Sequence, residues 1–220
     1  MPDNKTHVYL MPGMAASAAI FDGISLPKED FVLHKMEWVI PEKGISFGEY
    51  AVQMCRKIAH GNPVLIGVSF GGLLVQEMAK KIKVKKVIII SSIKSGEELP
   101  KRMLFAKYTH VHKLLPTGLV NNVELLAKYA FGETVTKRLD LYEKYLSMRD
   151  KYYLDWSIDN IVNWQQKRPI DNVVHIHGDQ DAVFPISKIK DCITVKNGTH
   201  TMIIHRVKWF NEHLPTIILD

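Results

Sequence analysis

Cysteine is nearly absent from this chain of 220 residues, which contains only Cys55 and Cys192. Two cysteines cannot form a disulfide framework, and we expect both thiols to be reduced. No stretch approaches the 18 apolar residues of a membrane-spanning helix, and no basic-then-apolar leader precedes the first apolar run. Internal repeats and low-complexity segments are also missing. These absences predict a soluble, cytoplasmic protein without a stable membrane anchor.

Acidic residues are outnumbered by basic ones. The chain has 29 lysines and arginines against 23 aspartates and glutamates, a formal net charge of +6. Such an excess can indicate nucleic-acid binding. Here it is concentrated between residues 80 and 86, without the interleaved aromatic side chains on which bases stack. Lysines at the end of a helix complement its dipole, so we expect no nucleic-acid partner.

Size and composition favour one domain over residues 1–220. Hydrophobic residues make up 46% of the chain, enough to bury one sizeable core. Six strand-like segments alternate with helical ones, which predicts an α/β fold with a mostly parallel sheet between two layers of helices. The predicted strands are 7–11, 31–36, 63–68, 85–91, 172–177 and 192–196, and the predicted helices include 46–59, 70–82 and 201–213. Ser46 and Glu49 form a capping box at the start of the first helix.

The segment around Ser69 is the most informative in the chain. An apolar, strand-like run ends in Gly67-Val68-Ser69-Phe70-Gly71, and helical periodicity follows at once. Gly67 and Gly71 permit a strand-to-helix turn that is too sharp for Cβ atoms, and such a turn holds the serine in a strained conformation with its Oγ exposed. The helix start offers the N–H of Phe70 to developing negative charge. The pattern predicts that Ser69 is a catalytic nucleophile.

Two later turns carry the partners that a nucleophilic serine needs. A β-branched strand ends in a turn with Asp179 and Asp181, and the next strand ends in a turn with His200. Both turns lie just past the carboxyl ends of predicted strands, where open α/β sheets place their sites. The chain order is therefore serine, acid, histidine, with His200 as the base and one of the two aspartates as its orienter.

These three motifs resemble those of the α/β-hydrolase fold family, over the first 92 residues and about the last 50. The resemblance implies that Asp181, which matches the family's His-Gly-x-x-Asp turn, is the acid and that Asp179 is a turn residue. Compared with the full family sheet, the first two strands are missing, so we expect a trimmed version of the fold.

The resemblance also implies an oxyanion hole built from two backbone N–H groups, those of Met14 and Phe70. Met14 follows Pro12 and Gly13 at the end of the first predicted strand. Many relatives have His-Gly where this chain has Pro-Gly. The backbone donor is retained, because it belongs to the residue after the glycine, but a histidine that usually helps to shape the loop is lost.

Residues 93–167 separate the two parts of the predicted core, 1–92 and 168–220. They hold 10 of the 20 aromatic residues and are predicted to be helical, with Val135, Leu139, Tyr142 and Leu146 on one helical face. The resemblance implies that this insertion is a cap that covers the active site and sets substrate choice.

Together, these features predict a carboxylesterase- or thioesterase-like serine hydrolase. It would cleave an ester, thioester or related acyl bond of a small to medium apolar substrate through an acyl-enzyme, without a metal or an organic cofactor. Two alternatives stay open. The same scaffold could bind a small ligand without turning it over, or His175, His177, Asp179 and Asp181 could form the zinc site of a metallohydrolase.

Overall fold

The computed structural model describes residues 5–109 and 145–220. In them, six strands form one sheet in which every neighbouring pair is parallel. In chain order the strands are β1 (Thr6–Met11), β2 (Phe31–Lys35), β3 (Val64–Val68), β4 (Lys86–Ile90), β5 (Val173–Gly178) and β6 (Ile193–Val195). Their order across the sheet is β2-β1-β3-β4-β5-β6. The prediction of an α/β fold with six mostly parallel strands is confirmed.

Helices cover both faces of this sheet. They are α1 (Phe47–Cys55), α2 (Phe70–Ala79), α3 (Lys101–Thr109), α4 (Lys151–Val162), α5 (Met202–His205) and α6 (Val207–Leu219). The predicted capping box is present at the start of α1: the Ser46 hydroxyl accepts from the N–H of Glu49, and the Glu49 carboxylate accepts from the N–H of Ser46. The box satisfies two of the N–H groups that the start of a helix leaves without partners.

Side-chain alternation along the strands divides the core into two layers. On β1, Tyr9 and Met11 pack with α1, α2 and α4, whereas Val8 and Leu10 pack with α6 on the other face. The same alternation places Ile89 in the first layer and Ile88 in the second. Because both faces are covered, the central strands are buried along nearly their whole length. The three-layer arrangement therefore follows from the apolar pattern of the strands.

The strand order determines where a site can form. The chain leaves β1 towards β2 at one edge and then crosses back to β3, so the order reverses between β1 and β3. Ligands of open α/β sheets bind outside the carboxyl ends of the strands at such a reversal. The loop that carries Met14 follows β1, and Ser69 follows β3 directly.

The end of the chain differs from the prediction of one helix over 201–213. Arg206 leaves helical geometry, with φ −115° and ψ 28°, and separates α5 from α6. Its guanidinium donates to the carbonyl of Asn197. Helix α6 then continues through Pro215 to Leu219, because Leu214 and Ile218 bury the face that packs on the sheet. That packing offsets the hydrogen bond that proline cannot donate.

The predicted cap is described in part. Helix α3 and helix α4 lie in it, and Leu154 and Ile161 of α4 are buried. Leu146 is buried and pairs with Ala16 in an isolated antiparallel bridge, so this position is not helical. The helical face predicted at Val135, Leu139 and Tyr142 lies outside the described residues.

Among the helices that the structure describes, none has the length and apolar composition needed to cross a membrane.

Candidate active site

Ser69 occupies the turn between β3 and α2. Its backbone has φ 51° and ψ −118°, a conformation with positive φ that residues other than glycine adopt only at a cost in free energy. The N–H of Ser69 donates to Ile90 of the neighbouring strand, and the Ser92 hydroxyl donates to the carbonyl of Ser69 at 2.7 Å. These two bonds connect the strained residue to β4 and to the segment that follows it. The side chain remains partly exposed.

The predicted need for glycine on both sides of Ser69 has a steric cause. A Cβ at Gly67 would overlap the backbone of Gly71, and a Cβ at Gly71 would overlap the carbonyl of Pro12. Gly72 has a similar restriction, because a Cβ there would overlap the Ser92 side chain. The turn is therefore packed against the loop after β1 as well as against its own helix.

The structure brings Ser69, His200 and Asp181 together in one hydrogen-bonded chain. Ser69 Oγ lies 3.0 Å from Nε2 of His200, and Nδ1 of His200 lies 2.8 Å from Oδ2 of Asp181. The lengths fit a histidine that donates from Nδ1 to the carboxylate and accepts from the serine hydroxyl. His200 and Asp181 are 7% and 4% exposed, so the interaction is largely shielded from water.

Asp181 is held as an ionised acceptor. Its Oδ1 accepts the backbone N–H groups of Val183 and Phe184 at 2.8 and 2.9 Å. Burial acts to raise the pKa of Asp181, but the charge and hydrogen bond of His200, with the Phe184 N–H, hold it below its ordinary value. Asp179 is exposed and makes no contact with His200. Of the two aspartates that the sequence left open, only Asp181 faces the histidine.

The acid turn and the histidine loop are joined through their backbones. The N–H of Gln180 donates to the carbonyl of Gly198 at 2.9 Å, and a Cβ at either Gly178 or Gly198 would collide with the other residue. Such a close approach requires glycine on both sides. It positions His200 relative to Asp181 independently of their own hydrogen bond.

Two further histidines lie behind Asp181 on β5. His177 Nδ1 is 3.0 Å from His175 Nε2, and His177 Nε2 is 2.8 Å from the carbonyl of Phe184. Burial lowers the pKa of both, that of His175 to about 2, so both are neutral and the 3.6 Å contact between His177 and Asp181 is not an ion pair. Among the described residues, the four side chains suggested as a zinc site do not bring their ligand atoms together at one point, because Asp181 is bonded to His200 and Asp179 is exposed.

The loop after β1 lies against the serine. A Cβ at Gly13 would be 3.5 Å from the Cβ of Ser69. The indole N–H of Trp38 donates to the carbonyl of Gly13 at 2.8 Å, and the N–H of Ala16 donates to it as well. The peptide that carries this carbonyl also carries the N–H of Met14, and in a trans peptide the two groups point in opposite directions. Trp38 therefore fixes the direction of the Met14 N–H.

Trp38 also contacts the second N–H donor expected at the site. Its ring stacks on Phe70 with centroids 4.9 Å apart and planes 9° apart. Phe70 is the first residue of α2, so its N–H has no partner within the helix. Sequence reasoning did not identify Trp38, and it offered no signal for it, because the residue lies in a loop between β2 and α1 and carries no motif.

The two tryptophans expected in the cap have packing roles. Trp156 contacts the rings of Tyr50 and Phe70, and its indole N–H donates to the carbonyl of Ile45. Trp164 donates to Glu77, near the far end of α2, and is 5% exposed. Trp164 is thus remote from Ser69. Trp156 contacts the ring of Phe70, the residue that follows Ser69.

Comparisons with known proteins agree on the fold. No protein-family model matches the sequence, and no curated protein matches it. Solved structures are similar over almost their full length. A bromoperoxidase from Bacillus anthracis is 16% identical with a TM-score of 0.68, over 98% of this chain and 92% of that one. An enol-lactonase from Burkholderia xenovorans is 12% identical with a TM-score of 0.69, over 99% and 92%. An esterase from Exiguobacterium antarcticum is 14% identical with a TM-score of 0.65, over 99% and 93%. At these identities the similarity establishes the fold.

Proposed function

Because the chain has the α/β-hydrolase fold, we propose that it is a serine hydrolase that cleaves an ester, thioester or related acyl bond. One observation carries the proposal: Ser69, His200 and Asp181 form a hydrogen-bonded chain at the carboxyl ends of three strands of the sheet. A strained serine, a buried imidazole and an ionised carboxylate in this order are the arrangement of nucleophilic acyl transfer.

In the first half of the reaction, Ser69 Oγ attacks the carbonyl carbon and its proton passes to Nε2 of His200. Asp181 holds the imidazole in the tautomer with hydrogen on Nδ1, and its negative charge stabilises the imidazolium that forms. The imidazolium then gives the proton to the leaving group. In the second half, water attacks the acyl-enzyme, with His200 again as the base.

Negative charge on the carbonyl oxygen would be stabilised by the N–H groups of Met14 and Phe70. Two features support this role. The Phe70 N–H is at the positive end of the helix dipole of α2, and the Met14 peptide is held by Trp38 and Ala16 through the Gly13 carbonyl. Donors that are fixed before the reaction need no reorganisation as the charge develops.

The proposed substrate is a small to medium apolar acyl compound. The aromatic rings packed around Phe70, the residue after the serine, support this choice, because Trp38 and Phe47 stack on it and the cluster carries no charge. The esterase and the enol-lactonase among the similar structures are named for esters and lactones, whose reacting group is an acyl carbonyl. The proposed chemistry requires neither a metal nor an organic cofactor.

A fluorophosphonate probe tests the proposal directly. We expect it to label the protein once, at Ser69, and we expect Ser69→Ala to abolish labelling and to lower hydrolysis of p-nitrophenyl esters by about 10⁴-fold or more. Ser91→Ala is the matched control, because the Ser91 hydroxyl is buried and makes no hydrogen bond with the residues that the structure describes, and the variant should be labelled like the wild type. Peptide mapping that places the label on another serine would overturn the assignment.

The same assay distinguishes a hydrolase from a protein that only binds ligands. A series from acetyl to octanoyl esters should show kcat/KM rising about fivefold per methylene, which corresponds to about 1 kcal/mol of transition-state stabilisation, until the apolar site is full. Labelling of Ser69 without turnover of any activated ester would instead indicate a binding protein on a hydrolase scaffold.

A further inference from the structure

Three histidines outside the candidate active site meet near the start of β1. His7 lies on β1, His34 lies on β2, and His60 follows α1. The parallel register pairs His7 with Val32, two residues before His34. Residues two apart on a strand share a face, so His7 and His34 project from the same face of the sheet. This is the face on which α1 packs, and the chain after α1 brings His60 to it.

The three imidazoles converge at short distances. Nδ1 of His7 is 2.9 Å from Nε2 of His34, and the rings of His7 and His60 stack with centroids 3.5 Å apart. One ligand nitrogen from each histidine lies within 4.8 Å of the other two. The three residues come from two strands and a loop, so only the tertiary fold brings them together.

The chemistry of the three donors suits a transition-metal ion. Each residue offers one imidazole nitrogen, and the described cluster consists of histidines alone. Imidazole nitrogen suits zinc, copper and nickel, whereas calcium and magnesium prefer oxygen ligands.

Tyr9 supplies an outer contact of the kind found at metal sites. Its hydroxyl oxygen is 2.8 Å from Nδ1 of His60 and accepts the N–H of Ala59 at 3.1 Å. With Nδ1 of His60 donating to this oxygen, Nε2 is the nitrogen available to a metal. Contacts that orient a ligating histidine in this way raise its basicity and fix its tautomer.

We propose that His7, His34 and His60 bind one divalent transition-metal ion of the zinc class through their imidazole nitrogens, with water as the fourth ligand. Bonds of about 2.0–2.1 Å place tetrahedral ligand atoms about 3.4 Å apart. The His7–His34 pair must open by about half an ångström, and the stacked rings of His7 and His60 must rotate so that their lone pairs meet. All three side chains are only partly buried, which permits that rotation and leaves the fourth position to water.

A metal at this cluster would act on stability rather than on acyl chemistry. It would join the edge strand β2 to β1 and to the loop after α1. His7 lies four residues before Met11, about 13 Å along the strand from the end at which Ser69 lies. The proposed site is therefore independent of the proposed hydrolase function.

Titration with zinc, on protein that carries no polyhistidine tag, tests this site. At pH 7.5 we expect calorimetry to show one zinc ion bound per chain, and zinc at about 100 times its Kd to raise Tm by about 5 to 10 °C. Cobalt should bind with the visible absorption of a four-coordinate ion. Binding should weaken as the pH is lowered, because protons compete with the metal ion for the ligand nitrogens. No zinc binding up to about 100 µM would overturn the proposal.

Variants locate the bound ion. His34→Gln and His60→Gln should each weaken zinc binding at least tenfold and keep ester hydrolysis at the wild-type rate in the absence of metal. His213→Gln is the matched control, because His213 lies on α6, bonded to the carbonyl of Trp209, and the variant should bind zinc like the wild type. Zinc binding that survives in both His34→Gln and His60→Gln would place the ion elsewhere and refute the proposed site.

Discussion

At the scale of single residues, Asp181 and Asp179 have the same chemistry and opposite surroundings. Asp181 is buried, faces His200 and accepts two backbone N–H groups, whereas Asp179 is exposed. The backbone of the turn orients Asp181, and not Asp179, towards the imidazole of His200. The two residues therefore form a matched pair for mutation.

We expect Asp181→Asn to lower kcat by about 10⁴-fold, because an amide at this position favours the wrong tautomer of His200. Asp179→Asn should change kcat less than about twofold. Steady-state kinetics with one p-nitrophenyl ester would measure both effects. The reverse ranking of the two variants would make Asp179 the acid.

Trp38 contacts both segments that carry the proposed N–H donors: its indole N–H binds the Gly13 carbonyl of the Met14 peptide, and its ring stacks on Phe70. Trp38→Phe removes the donor to the Gly13 carbonyl and can keep the stack on Phe70. We expect kcat to fall about tenfold with KM nearly unchanged, because the loss affects the transition state more than the bound substrate.

Trp164→Phe is the control for that variant. It removes an equally buried indole bond, to Glu77, at a distance from Ser69. Both variants should lower Tm by a similar amount, and only Trp38→Phe should lower kcat. Equal kcat values for the two variants would assign Trp38 a purely structural role.

At the scale of elements, the strand-to-helix turn between β3 and α2 depends on close backbone contact. Gly71 lies so near the loop after β1 that a Cβ would be 2.6 Å from the carbonyl oxygen of Met11 and would overlap that of Pro12. Backbone atoms cannot move aside as the tip of a flexible side chain can. The contact thus ties the serine turn to the loop that carries Met14.

We expect Gly71→Ala to reduce the free energy of unfolding by about 1–3 kcal/mol and to reduce ester hydrolysis with it. Gly48→Ala, in helix α1, has no atom within 4 Å of the new Cβ and should leave stability unchanged or raise it by up to about 1 kcal/mol. Urea unfolding of the two variants measures the difference. Equal stability would mean that the turn can relax.

At the scale of the whole molecule, the buried histidines make folding sensitive to acid. Burial, followed by the proximity of His177 and Lys94, lowers the pKa of His175 to about 2, against an ordinary value of about 6.5. Since the unfolded chain binds the proton more readily than the folded one, His175 contributes stability that is fully present above pH 6.5. This contribution is lost progressively as the pH falls from 6.5 towards 2.

His175→Gln should therefore make the free energy of unfolding less dependent on pH. Between about pH 5.5 and pH 4, one proton taken up on unfolding gives a slope of about 1.4 kcal/mol per pH unit, and the variant should lose up to that much of the wild-type slope. Urea unfolding at pH 7.5, 6.5, 5.5 and 4.5 would measure it. Parallel curves for wild type and variant would contradict the prediction.

Local patterns in the sequence were enough to predict the sheet and the place of the candidate site. The apolar strand before Ser69, the glycines around it and the helical periodicity after it are contiguous, so the turn follows from short-range sterics. The turns with Asp181 and His200 each follow a strand, and parallel strands bring their carboxyl ends to one edge. The strands of the sheet appear in the sequence as nearly continuous apolar runs, because helices cover both faces of each strand.

Only the tertiary structure decided which groups meet through space. Both Asp179 and Asp181 lie in the right turn, and the backbone alone determines which one faces His200. Trp38 belongs to no sequence motif, because the group that it binds, the carbonyl of Gly13, is 25 residues away in the chain. His7, His34 and His60 are isolated in sequence and converge only when two strands pair and α1 packs on them. Periodicity reports local geometry, and contacts between distant segments depend on how the whole core packs.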